Sequence, residues 1–432
     1  MWRLPDMNKK LAKYWIVLFA GFACASSGAA TLDDYIRQGL ASYPTILARQ
    51  SAKEAAQTDL TSAKLKFLPS PSFSTQRQNI AYSGQPTNRE PATNISITQP
   101  LFLDGGIIAG YNKADARLSA ADFSLLETRE DVSKKIINSY TQWMVAWLKI
   151  QALEDSVRMH EKLLGMIVRR YENGVASGAD RDLGQSRLQQ AQADLDSQRS
   201  LESSALVSLS QLVGEPVSRQ DLVGHLAKPL KPPRRTDGVF NALRQSVTVQ
   251  RYTYEAEAAE QEAKEIRAQA LPQLAFQAQR QIGNAYVPGA QGFDMYGLVV
   301  TYNPGGGFSS IAGASAAFDR AKAARHQIET AKRELTDRLN AEYNDYEFSL
   351  LKKESLQRAV DLAGDVSASY DRQFFVGRKT WMDLMNSVRE RAQTRAQLAD
   401  AEGGVVGASR RLMVYIDGTQ PFDMPHEQGL AK

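Results

Sequence analysis

The sequence predicts a mainly helical chain with a small β part, its main unit written twice. Three observations carry that prediction. Landmarks recur at one fixed offset of 203 residues, two stretches (101–215 and 305–420) hold no proline, and four short segments have strand character, in part with polar and apolar side chains alternating.

Self-similarity at a fixed offset marks an internally repeated architecture. Leu68-Pro69 returns as Leu271-Pro272, Ile97-Thr98 as Val300-Thr301 and Gly174 as Gly377, each 203 residues on. Leu212-Val213-Gly214 returns one residue further, as Ile416-Asp417-Gly418. Residues 31–214 and 235–418 are therefore read as two copies of one unit. The linker over 215–235 contains Lys228-Pro229-Leu230-Lys231-Pro232-Pro233-Arg234-Arg235, basic and proline-rich as linkers are. A tail over 419–432 follows the second copy.

Ahead of the copies, Lys9, Lys10 and Lys13 precede the apolar run Tyr14–Ala23 and then small residues through Ala30. That order is the charged, apolar and cleavage region of an export signal, so residues 1–30 are read as a signal peptide cut after Ala25 or Ala30. Cys24 is the sole cysteine and lies inside it, which leaves an exported, cysteine-free mature chain.

Within each copy the pattern runs helix, two strands, very long helix, helix. Proline-free sequence rich in Ala, Gln, Leu, Glu and Arg favours helix. The long helices are expected at 107–173 and 310–375, followed by helices at 180–212 and 381–415. In the first, Ile136, Trp143, Ile150, Val157, Leu164 and Tyr171 recur every seven residues, the seam of a coiled coil. The offset carries part of that seam onto Leu339, Tyr346, Val360 and Phe374, while Lys353 and Ser367 interrupt it. A helix over 107–173 is about 100 Å long, deeper than any compact core, so these helices must pack side by side in something elongated.

Strands are expected at 72–82, 93–100, 272–282 and 294–302. Leu274, Phe276, Ala278 and Ile282 alternate with Ala275, Gln277, Gln279 and Gln281, with Arg280 interrupting the apolar face. Strands of about ten residues with one apolar and one polar face suit a transmembrane β-barrel. Four strands cannot close one, because about eight are the minimum. Three copies would supply twelve, and the same symmetry would arrange the long helices as a hollow cylinder.

Composition excludes several classes. The chain carries 52 basic and 48 acidic residues for a net +4, and most of that excess sits in the first thirty residues, so nucleic acid is not an expected partner. Mean hydropathy of −0.38 excludes a polytopic helical membrane protein. His160, His225, His326 and His426 are scattered, so no metal site, catalytic residue or cofactor is expected.

The motifs Thr98-Gln99-Pro100-Leu101-Phe102-Leu103-Asp104-Gly105-Gly106, Arg170-Tyr171-Glu172-Asn173-Gly174 and Asp182-Leu183-Gly184-Gln185-Ser186-Arg187, with their second-copy partners Arg372-Gln373-Phe374-Phe375-Val376-Gly377 and Asp383-Leu384, resemble those of the TolC family of outer-membrane channels. The resemblance spans residues 31–418. It implies a homotrimer with one shared twelve-stranded barrel in the outer-membrane lipid of a Gram-negative bacterium. It also implies a helical tunnel through the periplasm and a tip that docks a periplasmic membrane-fusion adaptor and an inner-membrane transporter, the ABC type being favoured over a proton-driven one.

It also implies site residues. The helix–helix turns become the periplasmic tip, with Gly174 and Gly377 as turn glycines for partner docking. Asp383 falls where acidic side chains ring the constriction, and Asn386 stands where a second acid can occur. Lys379 and Phe374 lie near the positions of a latching basic and aromatic pair. The first turn reads as two residues longer than the second, which leaves Asp180 and Asp182 both open as the counterpart of Asp383. Pro100, Gly105 and Gly106, and Pro304 and Gly305 in the second copy, stop a strand and restart a helix.

The function expected is a passive exit duct of a tripartite export machine. Type I protein secretion, of an adhesin, is favoured on the short tail and on the Tyr302-Asn303-Pro304-Gly305-Gly306-Gly307 turn, which resembles that of family members serving adhesin secretion, and small-molecule efflux is the alternative. A periplasmic coiled-coil adaptor or structural protein is the reading from another class. An exported enzyme finds no support in any nucleophile or acid–base constellation.

Overall fold

The computed structural model describes residues 30–77, 91–101, 105–283, 292–303 and 305–419. The expected signal segment with Cys24, most of both hairpin loops, Asp104, Pro304 and nearly all of the tail lie outside the described residues.

The first copy folds as α1 (Leu32–Ser42), α2 (Pro44–Leu65), β1 (Ser70–Arg77), β2 (Pro91–Leu101), α3 (Gly106–Glu172) and α4 (Gly178–Val213). A short α5 (Arg219–Val223) interrupts the linker. The second copy folds as α6 (Arg235–Gln245), α7 (Val247–Gln269), β3 (Gln273–Ile282), β4 (Phe293–Thr301), α8 (Ser309–Phe375) and α9 (Trp381–Asp417). The duplication reaches every large element. The starts of α1 and α6, α2 and α7, α3 and α8, and α4 and α9 are all 203 residues apart, and α3 and α8 each have 67 residues. The single expected leading helix is two. Tyr43 leaves the helical region at ψ 125° because Pro44 disfavours helical backbone in the residue before it.

The helices form a layer with α3 in its middle. Along its first half α3 packs against α2 on one side and α7 on the other, and along its second half against α4 and α9. Helix α8 packs along its length against α7 and α9, with α6 crossing it near Tyr343. The main core gathers where α1, α3 and α4 meet, around Ile136, Ile137, Tyr140, Trp143 and Leu209. Tyr140 Oη accepts the backbone N–H of Ala227 at 2.8 Å, which ties the linker onto this core. Small residues let α9 approach α3: a Cβ built on Gly403 would come within 2.1 Å of Val145. Arg411 locks three helices at once, its guanidinium gripping Glu342 of α8 at 2.8 Å through Nε and Nη2 and reaching Asn138 of α3 at 2.9 Å.

The seven-residue seam holds for half its length. Ile136, Trp143 and Ile150 are fully buried and Val157 nearly so, but Tyr171 is exposed. Leu163 and Ile167 replace it on the buried face. An α-helix of 3.6 residues per turn drifts about 20° per heptad against a strict seven-residue repeat, so an unsupercoiled stretch hands burial to neighbouring positions. In α8, Lys353 pairs with Glu402 of α9, whereas Ser367, read as an interruption, is buried.

The four strands make one antiparallel sheet in the order β1-β2-β3-β4. Its register sorts the side chains. Phe73, Ile95, Ile97, Leu274, Phe276, Ile282, Tyr296, Leu298 and Val300 share one face, and most of them are exposed. Ser70, Ser72, Ser74, Asn94, Ser96, Thr98, Gln277, Gln279 and Gln281 share the other. Strand β4 is less tidy, with Phe293, Met295 and Val299 on the polar face. Arg280 sits on the apolar face with Asp294 at 3.8 Å, towards the loop end of the sheet. Among the described residues no helix is long and apolar enough to cross a membrane.

Candidate functional site

The two helix–helix turns lie together at the end of the molecule far from the sheet, and they are built alike. Each long helix ends with a glycine in the left-handed region, Gly174 at φ 72° and Gly377 at φ 73°. In the first turn the N–H groups of Gly174 and Val175 return to the carbonyls of Tyr171 and Arg170. In the second, Gly377 and Arg378 return to Phe374 and Gln373. These crossed bonds satisfy carbonyls the helix end would otherwise leave open, and a side chain at the glycine would be strained there.

Each following helix opens with a capping box. Asp180 accepts from the Ser177 N–H at 3.2 Å and hydroxyl at 2.8 Å, and Asp383 accepts from the Thr380 N–H at 3.1 Å and hydroxyl at 2.9 Å. The two turns are therefore equal in length, and the counterpart of Asp383 is Asp180. Asp182 instead points outward and pairs with its neighbour Arg181 at 2.8 Å. The first turn is thus not two residues longer, because its capping acid is Asp180 and not Asp182. The hydroxyl of Thr380, then its N–H, holds the Asp383 carboxyl below the usual carboxylate range, and Ser177 does the same for Asp180.

Phe374 is a core residue of this end. It packs with Leu163, Leu384, Met385 and Val388, joining α3 to α8 and α9. Arg170 of α3 lies over its ring at 5.7 Å. Lys379 lies over the ring of Tyr370, 4.3 Å from its centre, and Asn386 is exposed on α9.

One contact here was not legible in the residue pattern. Trp381 Nε1 donates to Asp180 Oδ1 at 3.2 Å, bridging the two turns of one chain. The repeat counterpart of Trp381 is Gly178, so the link is made once and not twice. An aromatic N–H at the first position of one helix, opposite the free oxygen of a capping carboxylate on the other, was the available signal. It needed the folded juxtaposition to be read.

At the sheet end, Pro100 is the penultimate residue of β2, opposite Ala275, and Gly105 turns into α3 at φ 71° with Gly106 as the first helical residue. The second copy turns through Gly305 at φ 74° and Gly307 at φ 60°, and Phe308 is also left-handed at φ 59°. That conformation costs a bulky residue about 1–2 kcal/mol.

Midway along α3, Glu130 is pushed up to about 8, chiefly by burial, with Asp131 and Glu127 adding to the shift and Lys134 opposing it. Arg251 grips Glu127 at 2.6 Å beside it. Among the described residues no group of three or more His, Cys, Asp or Glu is placed to hold a metal ion.

Residues 35–215 match the sequence model of the family described as outer membrane efflux protein. No curated protein matches the chain. Among solved structures, the outer-membrane channel OprN is similar at 15% identity, with 90% of this chain and 89% of that one covered and a TM-score of 0.77. The outer membrane protein VceC of Vibrio cholerae is similar at 15% identity, covering 90% and 96%, with a TM-score of 0.72. The outer membrane channel CmeC of Campylobacter jejuni is similar at 13% identity, covering 90% and 85%, with a TM-score of 0.71. The fold is thus that of these channels, as the resemblance to the TolC family implied.

Proposed function

We propose that three copies of this chain close into one duct, a twelve-stranded barrel in the outer membrane continued by a helical tunnel into the periplasm. The duct is the passive exit of a tripartite export machine, with a periplasmic adaptor and an inner-membrane transporter docking at the tip. The observation that carries this reading is the pattern of contacts the duplication leaves unmade. Helix α3 packs against α7 and α9, but its repeat partner α8 has no α2 or α4 beside it within the chain. Strand β2 pairs with β3, but β4 and β1 are free edges. Supplying α2, α4 and β1 from a neighbouring copy repeats the internal contacts across the boundary and closes a ring. An open sheet edge would be untenable in lipid, so a membrane-embedded sheet must close.

In that ring the face with Phe276, Leu298 and Val300 meets lipid, and the Ser/Gln/Asn face lines the pore. Gly174 and Gly377 shape the surface the adaptor meets. Asp180 and Asp383 place carboxylates around the narrow end, six from three chains, which favours cations there. The Trp381–Asp180 bond holds the two hairpins of each chain together in the closed tip.

The cargo divides two ways. The Tyr302-to-Gly307 turn sequence supports protein secretion through an ABC transporter. The family description supports efflux of small compounds. Deleting the gene and comparing the secreted proteins with sensitivity to toxic compounds separates them: a lost secreted protein at unchanged sensitivity supports the first, and the reverse supports the second. Outer-membrane fractionation with unheated gel electrophoresis tests the duct itself. A heat-labile trimer in the outer membrane is expected, and a soluble periplasmic monomer would favour the coiled-coil adaptor instead.

A further inference from the structure

Between α4 and α9, above α3, lies a half-open cavity of about 230 Å³. Its floor is His160, only 4% exposed, and its walls carry Arg187 from α4 and Arg389 from α9. Neither arginine makes a hydrogen bond or an ion pair with any described residue; Arg187 is half-buried and Arg389 exposed. Elsewhere on these two helices Arg395 pairs with Asp155 at 2.5 Å and Arg199 with Glu154 at 3.2 Å. The nearest carboxylate in the wall, Asp194, accepts from Gln190 at 2.9 Å.

We propose that this cavity binds a carboxylate, held between the guanidiniums of Arg187 and Arg389 above the imidazole of His160. Guanidinium groups on facing walls match carboxylate geometry through paired N–H donors. His160 is set up as a third donor. Its Nδ1 lies 2.7 Å from the Ser156 carbonyl oxygen, which can only accept, so Nδ1 carries the proton and Nε2 is left for the cavity. Burial first, and then the charges of Arg187 and Arg389, hold His160 below its ordinary value, against the Ser156 bond that raises it. The other charged groups nearby are Asp194 on α4 and, in the adjoining pocket between α3 and α9, Arg391 and the paired Asp155 and Arg395. A bound carboxylate offsets both guanidinium charges and lets Nε2 protonate and donate. Binding is then tighter at acid pH.

The carboxylate has two sources, a free small acid or an acidic side chain on a helix lying between α4 and α9. The site does not rest on the channel reading, because it is contained in one chain. Titrating the full mature protein in detergent with citrate by calorimetry, at pH 6 and pH 8 and constant ionic strength, tests it. Saturable binding is expected, several-fold tighter at pH 6. R187Q/R389Q loses at least ten-fold, whereas R358Q, an exposed arginine paired with Glu354, binds as the parent does. H160Q keeps binding but loses its pH dependence. A helical peptide with two central glutamates, set against its glutamine twin, separates the sources. Competition with citrate by the glutamate peptide alone assigns the site to a docked helix, and citrate binding without competition assigns it to a free acid. No saturable binding of either probe, or binding unchanged in R187Q/R389Q, overturns the proposal.

Discussion

Helices α3 and α8 are the same element twice, equal in length and 203 residues apart, yet they live in different surroundings. Val145, Leu148, Met159 and Leu163 of α3 turn towards neighbouring helices. Their counterparts Phe348, Leu351, Leu362 and Val366 are exposed in α8, Phe348 at 69%. Sequence duplication copied the apolar face, but one chain supplies partners for only one of the copies. An unpaired apolar stripe of that length marks a surface meant to be covered. The difference teaches where the chain ends as a unit of folding and where assembly must take over.

The largest effect expected is a split between counterpart substitutions. Leu163→Asp puts an unpaired charge in a fully buried site at a cost of several kcal/mol, and the chain should fail to accumulate. Val366→Asp at the matching position should leave a folded chain that no longer runs as a heat-labile trimer on unheated gels. Equal behaviour of the two would break the comparison.

The tips offer a second contrast, since Trp381 in one turn faces Gly178 in the other. Trp381→Phe keeps the ring in its apolar cluster and removes only the N–H that reaches Asp180. Each of the three chains then loses one bond to a charged acceptor, so single-channel recordings should show the open state more often. An unchanged open fraction would show that the tip is held by packing alone.

A third contrast concerns Glu130, whose counterpart is Arg333. The folded chain holds Glu130 protonated to about pH 8, above the ordinary carboxylate value of 4.5. The folded state therefore binds the extra proton, and this group's contribution to stability is full below pH 4.5 and lost as pH rises towards 8. Glu130→Gln should remove that slope, gaining thermal stability at pH 8 and nothing at pH 4.5.

Much of the fold was legible because it rests on local rules. Proline-free sequence reads as helix, alternation as strand, and a constant offset as duplication. The seam fails beyond Val157 because burial follows the 3.6-residue turn of the helix, which drifts from a seven-residue period. The tip was only half legible. Gly174 and Gly377 announced their left-handed turns, but the choice between Asp180 and Asp182 needed the capping serine, and the Trp381–Asp180 bond joins residues 201 positions apart. The arginines over His160 were invisible for the same reason: three helices bring them together, and no spacing along the chain encodes it.

The central claim is that a neighbouring copy completes what the duplication leaves open, and the sheet states it in residues. Ile97 lies opposite Ala278 where β2 meets β3. Carried 203 residues, the same register puts Val300 of one copy opposite Thr75 of the next. Cysteines at Thr75 and Val300, in a chain whose sole native cysteine is Cys24, should form a disulfide between copies and give a covalent trimer on denaturing, non-reducing gels. Cysteines at Gln76 and Val300, on opposite faces, should not. Monomer only from the Thr75–Val300 pair in outer-membrane protein, or equal cross-linking of both pairs, would contradict the account.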